Sequence, residues 1–274
     1  MPGAADLSRQ PLFLYNRMRF RPCIDLHQGK VKQIVGSTLV DDPAAVRTNF
    51  SSDLPPSHYA TLYRQDGLVG GHVIMLGPGN EAAARDALAA WPGGMQVGGG
   101  ITADNAIHWL ERGASHLIVT SHVFHDGVLD RERLVRLNRL VGKKRLVLDL
   151  SCRWRQGGYY VVTDRWQKFT SLRICPETLE DMGAYCDEFL IHAVDVEGKC
   201  MGIDTRLLDL LAASVPVPTT YAGGVATFAD LELIRNSGRQ LIDVTVGSAL
   251  DIFGGSGLRY QEVVAYHAKL APAP

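Results

Sequence analysis

The feature that most constrains the fold of this chain is one chemical pattern that occurs in both of its halves. Asp25 lies in a short apolar segment, and the diglycine that begins at Gly99 follows it after 74 residues. Asp149 lies in a similar segment, and the diglycine that begins at Gly223 follows it after the same 74 residues. This repeat predicts two similar half-domains whose equivalent positions face each other.

The chain also alternates short apolar segments, rich in β-branched residues, with amphipathic helical segments. Such an order is typical of a parallel sheet that is covered by helices. The segments predicted as strands are 22–26, 72–76, 96–99, 117–121, 146–151, 189–194, 219–223 and 243–248. The segments predicted as helices include 82–90, 103–111, 131–140, 176–185, 205–211 and 228–235.

Eight strand–helix units favour a closed barrel over an open doubly wound sheet. Such a barrel needs roughly 250 residues, nearly the whole chain. No G-x-G-x-x-G motif follows the first strand, which also disfavours the open sheet. We therefore predict an α/β fold, a single (β/α)8 TIM barrel over residues 18–274 that follows an N-terminal arm at 1–17. The half-barrels are expected at about 18–142 and 143–265.

Composition excludes several classes of function. The net charge of −1 offers no basic excess for nucleic acid, and no apolar run reaches the roughly 18 residues of a membrane span. The five cysteines form no C-x-x-C pair, which indicates a reducing compartment and no disulfide framework. We expect a monomer without nucleic-acid or membrane partners. We also expect a cytoplasmic location, or the plastid stroma if the source is a plant or an alga.

Asp25 and Asp149 are the candidate catalytic residues. Each lies near the C-terminal end of a predicted strand, where the active sites of barrels are found. Burial at such a position raises the pKa of a carboxyl group toward the range that is useful for proton transfer. Two carboxyl groups on opposite sides of a pocket can act as base and acid. The alternative is that one or both only cap a neighbouring loop.

Small residues at four strand ends predict two anion sites that face each other. The diglycines leave backbone amides that a phosphate can approach closely, although a diglycine is also common in tight turns. About twenty residues later, each half adds small or hydroxyl-bearing residues at the next strand end, as in barrel phosphate sites. We therefore expect a small-molecule substrate with a phosphate at both ends. The candidate phosphate-binding residues are Gly99, Gly100, Thr120, Ser121, Gly223, Gly224, Gly247 and Ser248.

Other polar and aromatic residues are weaker candidates. His116, His122 and His125 lie close together but lack a metal-ligand spacing, so we expect no metal site. His192 ends a predicted strand and is either a pocket residue or a core residue. Trp166 follows the fifth strand, in a long loop with a small hairpin predicted at 159–163. Long loops at this end of a barrel often form lids or ligand contacts.

Together these motifs resemble the phosphoribosylformimino-aminoimidazole carboxamide ribotide isomerases of histidine biosynthesis. The resemblance extends from about Met18 to Tyr260. The residues that carry it are 22–31, 97–102, 147–152, 221–224 and 246–250. Segments 71–78, 188–198 and 250–255 are similar to the eukaryotic branch of this family.

The resemblance implies an Amadori rearrangement of an aminoaldose, which carries a phosphate at each end, to an aminoketose. It implies no cofactor. Asp25 would be the base that takes the proton from C2, and Asp149 the acid that helps to open the ribose ring and to form the protonated imine. Trp166 matches a tryptophan that stacks on the substrate.

Some positions depart from the bacterial pattern of the family, so their roles stay open. Met75 and Gly77 stand where the bacterial pattern has acidic residues. Thr102 replaces an arginine, and His192 replaces a threonine. We expect other residues to supply the missing donors, and His192 to form hydrogen bonds with the acid or the substrate.

Three alternatives remain. A sister cyclase shares the repeat and both aspartates, but its catalytic lysine falls on Gln33 here. Lys32 is one residue away, and a shift of one residue on a strand points the side chain to the opposite face. A non-enzymatic sensor of a bisphosphorylated ligand would not need Asp25 and Asp149 between its phosphate sites. A dual enzyme that also isomerises phosphoribosylanthranilate is the third alternative.

Overall fold

The computed structural model describes residues 18–35, 38, 47–238 and 241–270. The predicted arm at 1–17 lies outside these residues, and so does the predicted C-terminal limit of the barrel at 274. Within the described residues, eight parallel strands alternate with eight helices. The strands are β1 (Cys23–His27), β2 (Gly71–Met75), β3 (Met95–Gly98), β4 (Leu117–Val119), β5 (Leu146–Asp149), β6 (Glu188–His192), β7 (Thr219–Ala222) and β8 (Ile242–Val244). The helices are α1 (Pro56–Gln65), α2 (Glu81–Ala90), α3 (Ala106–Glu111), α4 (Arg131–Val141), α5 (Pro176–Gly183), α6 (Thr205–Ser214), α7 (Phe228–Ser237) and α8 (Tyr260–Leu270).

Each barrel strand pairs in parallel with the next strand of the chain, from β1 to β8. The barrel closes just before β1, where Arg21 donates its backbone N–H to the carbonyl of Val244 at 2.8 Å, and Val244 donates to Arg19 at 2.9 Å. This closure confirms the predicted (β/α)8 barrel. It also brings all strand C-termini to one rim, where β1 lies opposite β5.

The apolar strands and helices form the predicted core, but two helices were missing from the sequence-based prediction. Helix α1 buries Tyr59, Ala60 and Tyr63, and α8 buries Tyr260 and Val263. These buried faces contain tyrosines and few aliphatic residues. Aliphatic residues, by contrast, dominate the buried faces of α4 and α6, which the prediction contains.

Three additional β structures follow barrel strands at the C-terminal rim. A short hairpin after β4 pairs Phe124–His125 with Val128–Leu129. The strand Lys30–Ile34 runs antiparallel to β1 and also pairs with Thr48–Ser51. After β5, the strands Cys152–Arg155, Gly158–Thr163 and Lys168–Arg173 form a three-stranded antiparallel sheet. Residues 159–163, which were predicted to form a hairpin, are instead part of one strand, the central strand of this sheet.

A buried ionic network fills the opposite, N-terminal end of the barrel. The guanidinium group of Arg21 contacts Asp243 at 2.8 Å and Glu188 at 3.1 Å, and Gln96 donates to Glu188 at 2.9 Å. These contacts with Arg21 and Gln96 offset the cost of burying the two carboxylates. This network therefore stabilises the end of the barrel that carries no candidate site. Among the described helices, none combines the length and the apolar character needed to cross a membrane.

Candidate active site

A cavity of about 920 Å³ opens at the C-terminal rim, between the barrel and the three-stranded sheet. A second, much narrower space of about 30 Å³ adjoins it below the loops that follow β7 and β8. The two spaces share four polar side chains. These are Asp25, Gln33, His192 and Glu197. The shared residues make one continuous site with a wide half and a narrow half.

Asp25 lies in β1 at the junction of the two spaces. The Asp25 side chain is partly accessible to solvent, but the surrounding protein atoms at the C-terminal end of the barrel replace most of the water around its carboxyl group. This desolvation raises the pKa of Asp25 to about 6, and a hydrogen bond from Gln33 opposes the rise. Gln33 Nε2 donates to Oδ2 of Asp25 at 3.1 Å. Asp25 is therefore mainly a carboxylate near neutral pH, but it is far more basic than an ordinary aspartate.

Glu197 lies in the loop after β6 and faces the same junction. Burial raises the pKa of Glu197 to about 8, with a further contribution from the charge on Asp25. Glu197 is therefore mainly protonated at neutral pH, while Asp25 is mainly ionised. The site thus holds one mainly ionised and one mainly protonated carboxyl group, and the two interact electrostatically.

Asp149 ends β5, on the side of the barrel opposite β1, and its Oδ1 is held by Ser151. The backbone N–H of Ser151 donates to Oδ1 at 2.8 Å, and the Ser151 hydroxyl donates to the same oxygen. The Ser151 hydroxyl also lies 3.0 Å from Nδ1 of His192. Burial lowers the pKa of His192, although the charge on Asp149 opposes this effect. Trp166 packs on the His192 ring, with 5.2 Å between ring centroids.

The two diglycines adopt matching left-handed backbone conformations. The φ angles are +90° for Gly99 and +112° for Gly223, and +75° for Gly100 and +76° for Gly224. An L side chain is strained at such angles, and a Cβ on Gly99 would lie 2.1 Å from the carbonyl oxygen of Met75. The repeat in the sequence is thus a repeat in the backbone.

The wide half contains Gly99, Gly100, Thr120 and Ser121 on its wall. The narrow half contains Gly223, Gly224, Gly247 and Ser248. In the narrow half, Ser248 Oγ lies 3.5 Å from Oε1 of Gln33, and Asn49 Nδ2 donates to Ser248 Oγ at 3.1 Å.

All the site residues predicted from the sequence line one half or the other, and Asp25 and His192 line both. Ser151 and Glu197 have no role predicted from the sequence, and Gln33 is predicted only as a difference from the cyclase. A signal existed for Glu197, which precedes a glycine just after a strand end. Ser151 lies only two positions from Asp149, but its contact with His192 spans 41 positions and has no local signal.

The residues that differ from the bacterial pattern of the family also line the wide half of the cavity. Met75, Gly77 and Thr102 lie on its wall. Arg165 and Lys168, from the three-stranded sheet and its turn, bring cationic groups to the same wall. Lys168 forms an ion pair at 2.9 Å with Asp164, which lies on the same wall, so part of this positive charge is balanced within the sheet.

The residues of the strand next to β1 separate this site from that of the cyclase. Gln33 faces the cavity and contacts Asp25, whereas Lys32 contacts Gln28 at 2.8 Å on the exposed side. The alternation of the strand thus turns the lysine away from the site, as predicted.

Within the described residues, one cluster could bring three metal ligands together, and it lies at the other end of the barrel. It consists of His116, Asp187 and Glu188. Glu188 already pairs with Arg21 and Gln96. The cluster is therefore separate from the candidate active site and part of the N-terminal network.

Comparison with known proteins confirms the resemblance. Residues 19–255 match the model of the family described as histidine biosynthesis protein. Similar proteins are named 1-(5-phosphoribosyl)-5-((5-phosphoribosylamino)methylideneamino) imidazole-4-carboxamide isomerase. A chloroplastic one from Medicago truncatula is 56% identical over 272 residues, which cover 97% of this chain and 87% of that protein.

Fungal relatives carry the same name. The protein of Yarrowia lipolytica is 48% identical over 260 residues, covering 92% of this chain and 98% of the relative. That of Saccharomyces cerevisiae is 44% identical over 258 residues, with the same shares of both chains. The chain therefore belongs to the histidine biosynthesis protein family, and within it to the imidazole-4-carboxamide isomerases.

Proposed function

We propose that this isomerase converts the phosphoribosylformimino aminoaldose of histidine biosynthesis to its phosphoribulosyl aminoketose. The observation that carries the proposal is the pair Asp25 and Asp149 on opposite strands of one cavity, between two diglycine turns of matching conformation. An Amadori rearrangement needs a proton removed at C2 and a proton delivered during ring opening and imine formation. A substrate with a phosphate at each end fits two anion sites on either side of the carboxyl groups.

Asp25 is the proposed general base. Because desolvation raises its pKa to about 6, the group is ionised at neutral pH and is still basic enough to accept a carbon-bound proton. Its position between the wide and narrow halves places it next to the middle of a ligand that spans both. The hydrogen bond from Gln33 holds one oxygen of the carboxylate.

Asp149 is the proposed general acid. It lies across the mouth from Asp25, where it can reach the ring oxygen and the amine-bearing carbon of a substrate held between the strands. Ser151 holds its Oδ1. Trp166, against His192, offers a flat apolar face for the imidazole carboxamide of the substrate.

The proposal is tested by replacing each aspartate with asparagine and following the aminoaldose by absorbance, coupled to a cyclase. We expect Asp25→Asn and Asp149→Asn each to lower kcat by about 10²- to 10⁴-fold with little change in substrate affinity. Asp53→Asn is the matched control, since the Asp53 side chain is 99% exposed. Turnover of either variant within about tenfold of wild type would remove that residue from its role.

Glu197 is a second candidate for the acid, because burial raises its pKa to about 8 and leaves it protonated at neutral pH. Glu197→Gln keeps a hydrogen-bond donor but removes the acid. If Asp149 is the acid, this variant retains kcat within about tenfold, whereas loss equal to that of Asp149→Asn assigns the proton to Glu197. A second assay, with the aminoketose and ammonium, should form no imidazole product. Formation of that product would instead favour the cyclase.

A further inference from the structure

The contacts of Asp149 differ between its two carboxylate oxygens. Oδ1 accepts from both the N–H and the hydroxyl of Ser151, whereas Oδ2 has no hydrogen-bond partner within the described residues. Two donors on Oδ1 occupy the lone pairs that a proton would need. A proton on Asp149 is therefore carried by Oδ2.

The same contacts determine the tautomer of His192. A serine hydroxyl has one hydrogen, and that of Ser151 is donated to Asp149. The Ser151 oxygen lies 3.0 Å from Nδ1 of His192, so it must accept the hydrogen of an Nδ1–H group. The other ring nitrogen, Nε2, then has a free lone pair in a ring that lines the cavity.

We propose that Ser151 and His192 are positioning residues for Asp149. Ser151 holds Oδ1, His192 fixes the Ser151 hydroxyl through Nδ1–H, and Oδ2 remains as the oxygen that exchanges the proton with the substrate. Nε2 of His192 accepts a hydrogen bond from a substrate hydroxyl group. This inference rests on the proposed role of Asp149 as the acid.

Two pairs of variants test the proposal. Ser151→Ala removes the hydroxyl, and Ser151→Thr keeps it. His192→Phe keeps a ring against Trp166 but removes Nδ1–H, and His192→Asn keeps an N–H group near that position. We expect Ser151→Ala and His192→Phe to lower kcat by about 10- to 100-fold, as removal of orienting hydrogen bonds commonly does. Ser151→Thr and His192→Asn should recover part of the loss.

Two further readouts separate positioning from a general effect on folding. In a double-mutant cycle, Ser151→Ala combined with His192→Phe should lose no more kcat than the worse single variant, because both remove one chain of contacts. Nitrogen-15 NMR of labelled histidines should show His192 as the Nδ1–H tautomer, and Ser151→Ala should change that signal. The KM of Ser151→Ala should stay within about threefold of the wild-type value.

The results that overturn the proposal differ from those that overturn the role of Asp149. If Asp149→Asn is inactive but Ser151→Ala keeps wild-type kcat, the positioning role is wrong. An Nε2–H tautomer for His192 in the wild-type protein would also refute it. If Asp149→Asn is itself active, the proposed acid is wrong and the inference fails with it.

Discussion

Replacing Gln33 by methionine should move the acid limb of the pH–rate profile to higher pH. Gln33 Nε2 donates to Oδ2 of Asp25 at 3.1 Å, and this hydrogen bond opposes the effect of burial on the Asp25 pKa. Methionine has a similar length and no donor, so the variant removes the hydrogen bond and keeps most of the packing. The carboxylate form of Asp25 loses its partner, whereas the protonated form loses little.

The size of the shift follows from the strength of that hydrogen bond. A hydrogen bond to a charged group contributes about 1.5–3 kcal/mol, and 1.36 kcal/mol corresponds to about one pKa unit. The Asp25 pKa should therefore rise from about 6 to about 7–8. A base with a raised pKa is lost as the pH falls, so kcat/KM at about pH 6 should drop about 5- to 50-fold and recover above about pH 9.

The measurement is kcat/KM for the aminoaldose across that pH range, since this parameter reports groups of the free enzyme. Lys32→Met is the matched control, because Lys32 lies on the same strand but contacts Gln28 on the exposed side. The quantity to compare is the pH midpoint of the acid limb in the wild type and in each variant. Ionisation of the substrate phosphates affects all of these proteins equally, so a difference between midpoints reports the enzyme. If the limb of Gln33→Met coincides with that of the wild type, Gln33 does not set the basicity of Asp25.

Three further predictions follow from the same structure. Arg21→Met leaves the buried Glu188 without its cation and leaves Asp243 only the partly exposed Arg19, so it should destabilise the fold by about 3–5 kcal/mol in urea unfolding. Arg131→Met, at an exposed ion pair with Asp181, should cost about 1 kcal/mol or less; equal losses would contradict the network. Gly224→Ala should be strongly destabilising, because its Cβ would lie 2.1 Å from the carbonyl oxygen of Gly202. In Gly100→Ala the new Cβ would meet open space, but φ is positive, so the variant should lose only about 1–3 kcal/mol of stability to backbone strain. It should also raise the KM. Thermal unfolding and steady-state kinetics measure the two effects. Tyr159→Phe removes the hydroxyl that contacts Asp204 at 2.7 Å, and thermal unfolding should show a loss of about 1.5–3 kcal/mol; an unchanged midpoint would contradict that contact.

Several features of the fold could be predicted because they depend on local residue order. Short apolar segments rich in β-branched residues, which alternate with helical segments, predicted all eight barrel strands to within a few residues. The 74-residue spacing predicted that Asp25 and Asp149 lie at equivalent places in two half-barrels. In contrast, helices α1 and α8 were missed because tyrosines form much of their buried faces.

Other features depend on residues that are far apart in the chain. Ser151 contacts His192 only because β5 and β6 are neighbours in the barrel. The pKa of Glu197 rises to about 8 because folding buries it near Asp25, more than 170 positions away in the sequence. The three-stranded sheet after β5 brings Arg165 and Lys168 over the cavity, which no local pattern indicates.

The sequence by itself determined the barrel, its internal symmetry and the candidate residues at the strand ends, because strand period and glycine placement are properties of neighbouring residues. Only the tertiary structure decided which groups contact the two aspartates and which carboxyl group keeps its proton. Those properties depend on burial and on hydrogen bonds between distant segments, which exist only once the barrel has closed.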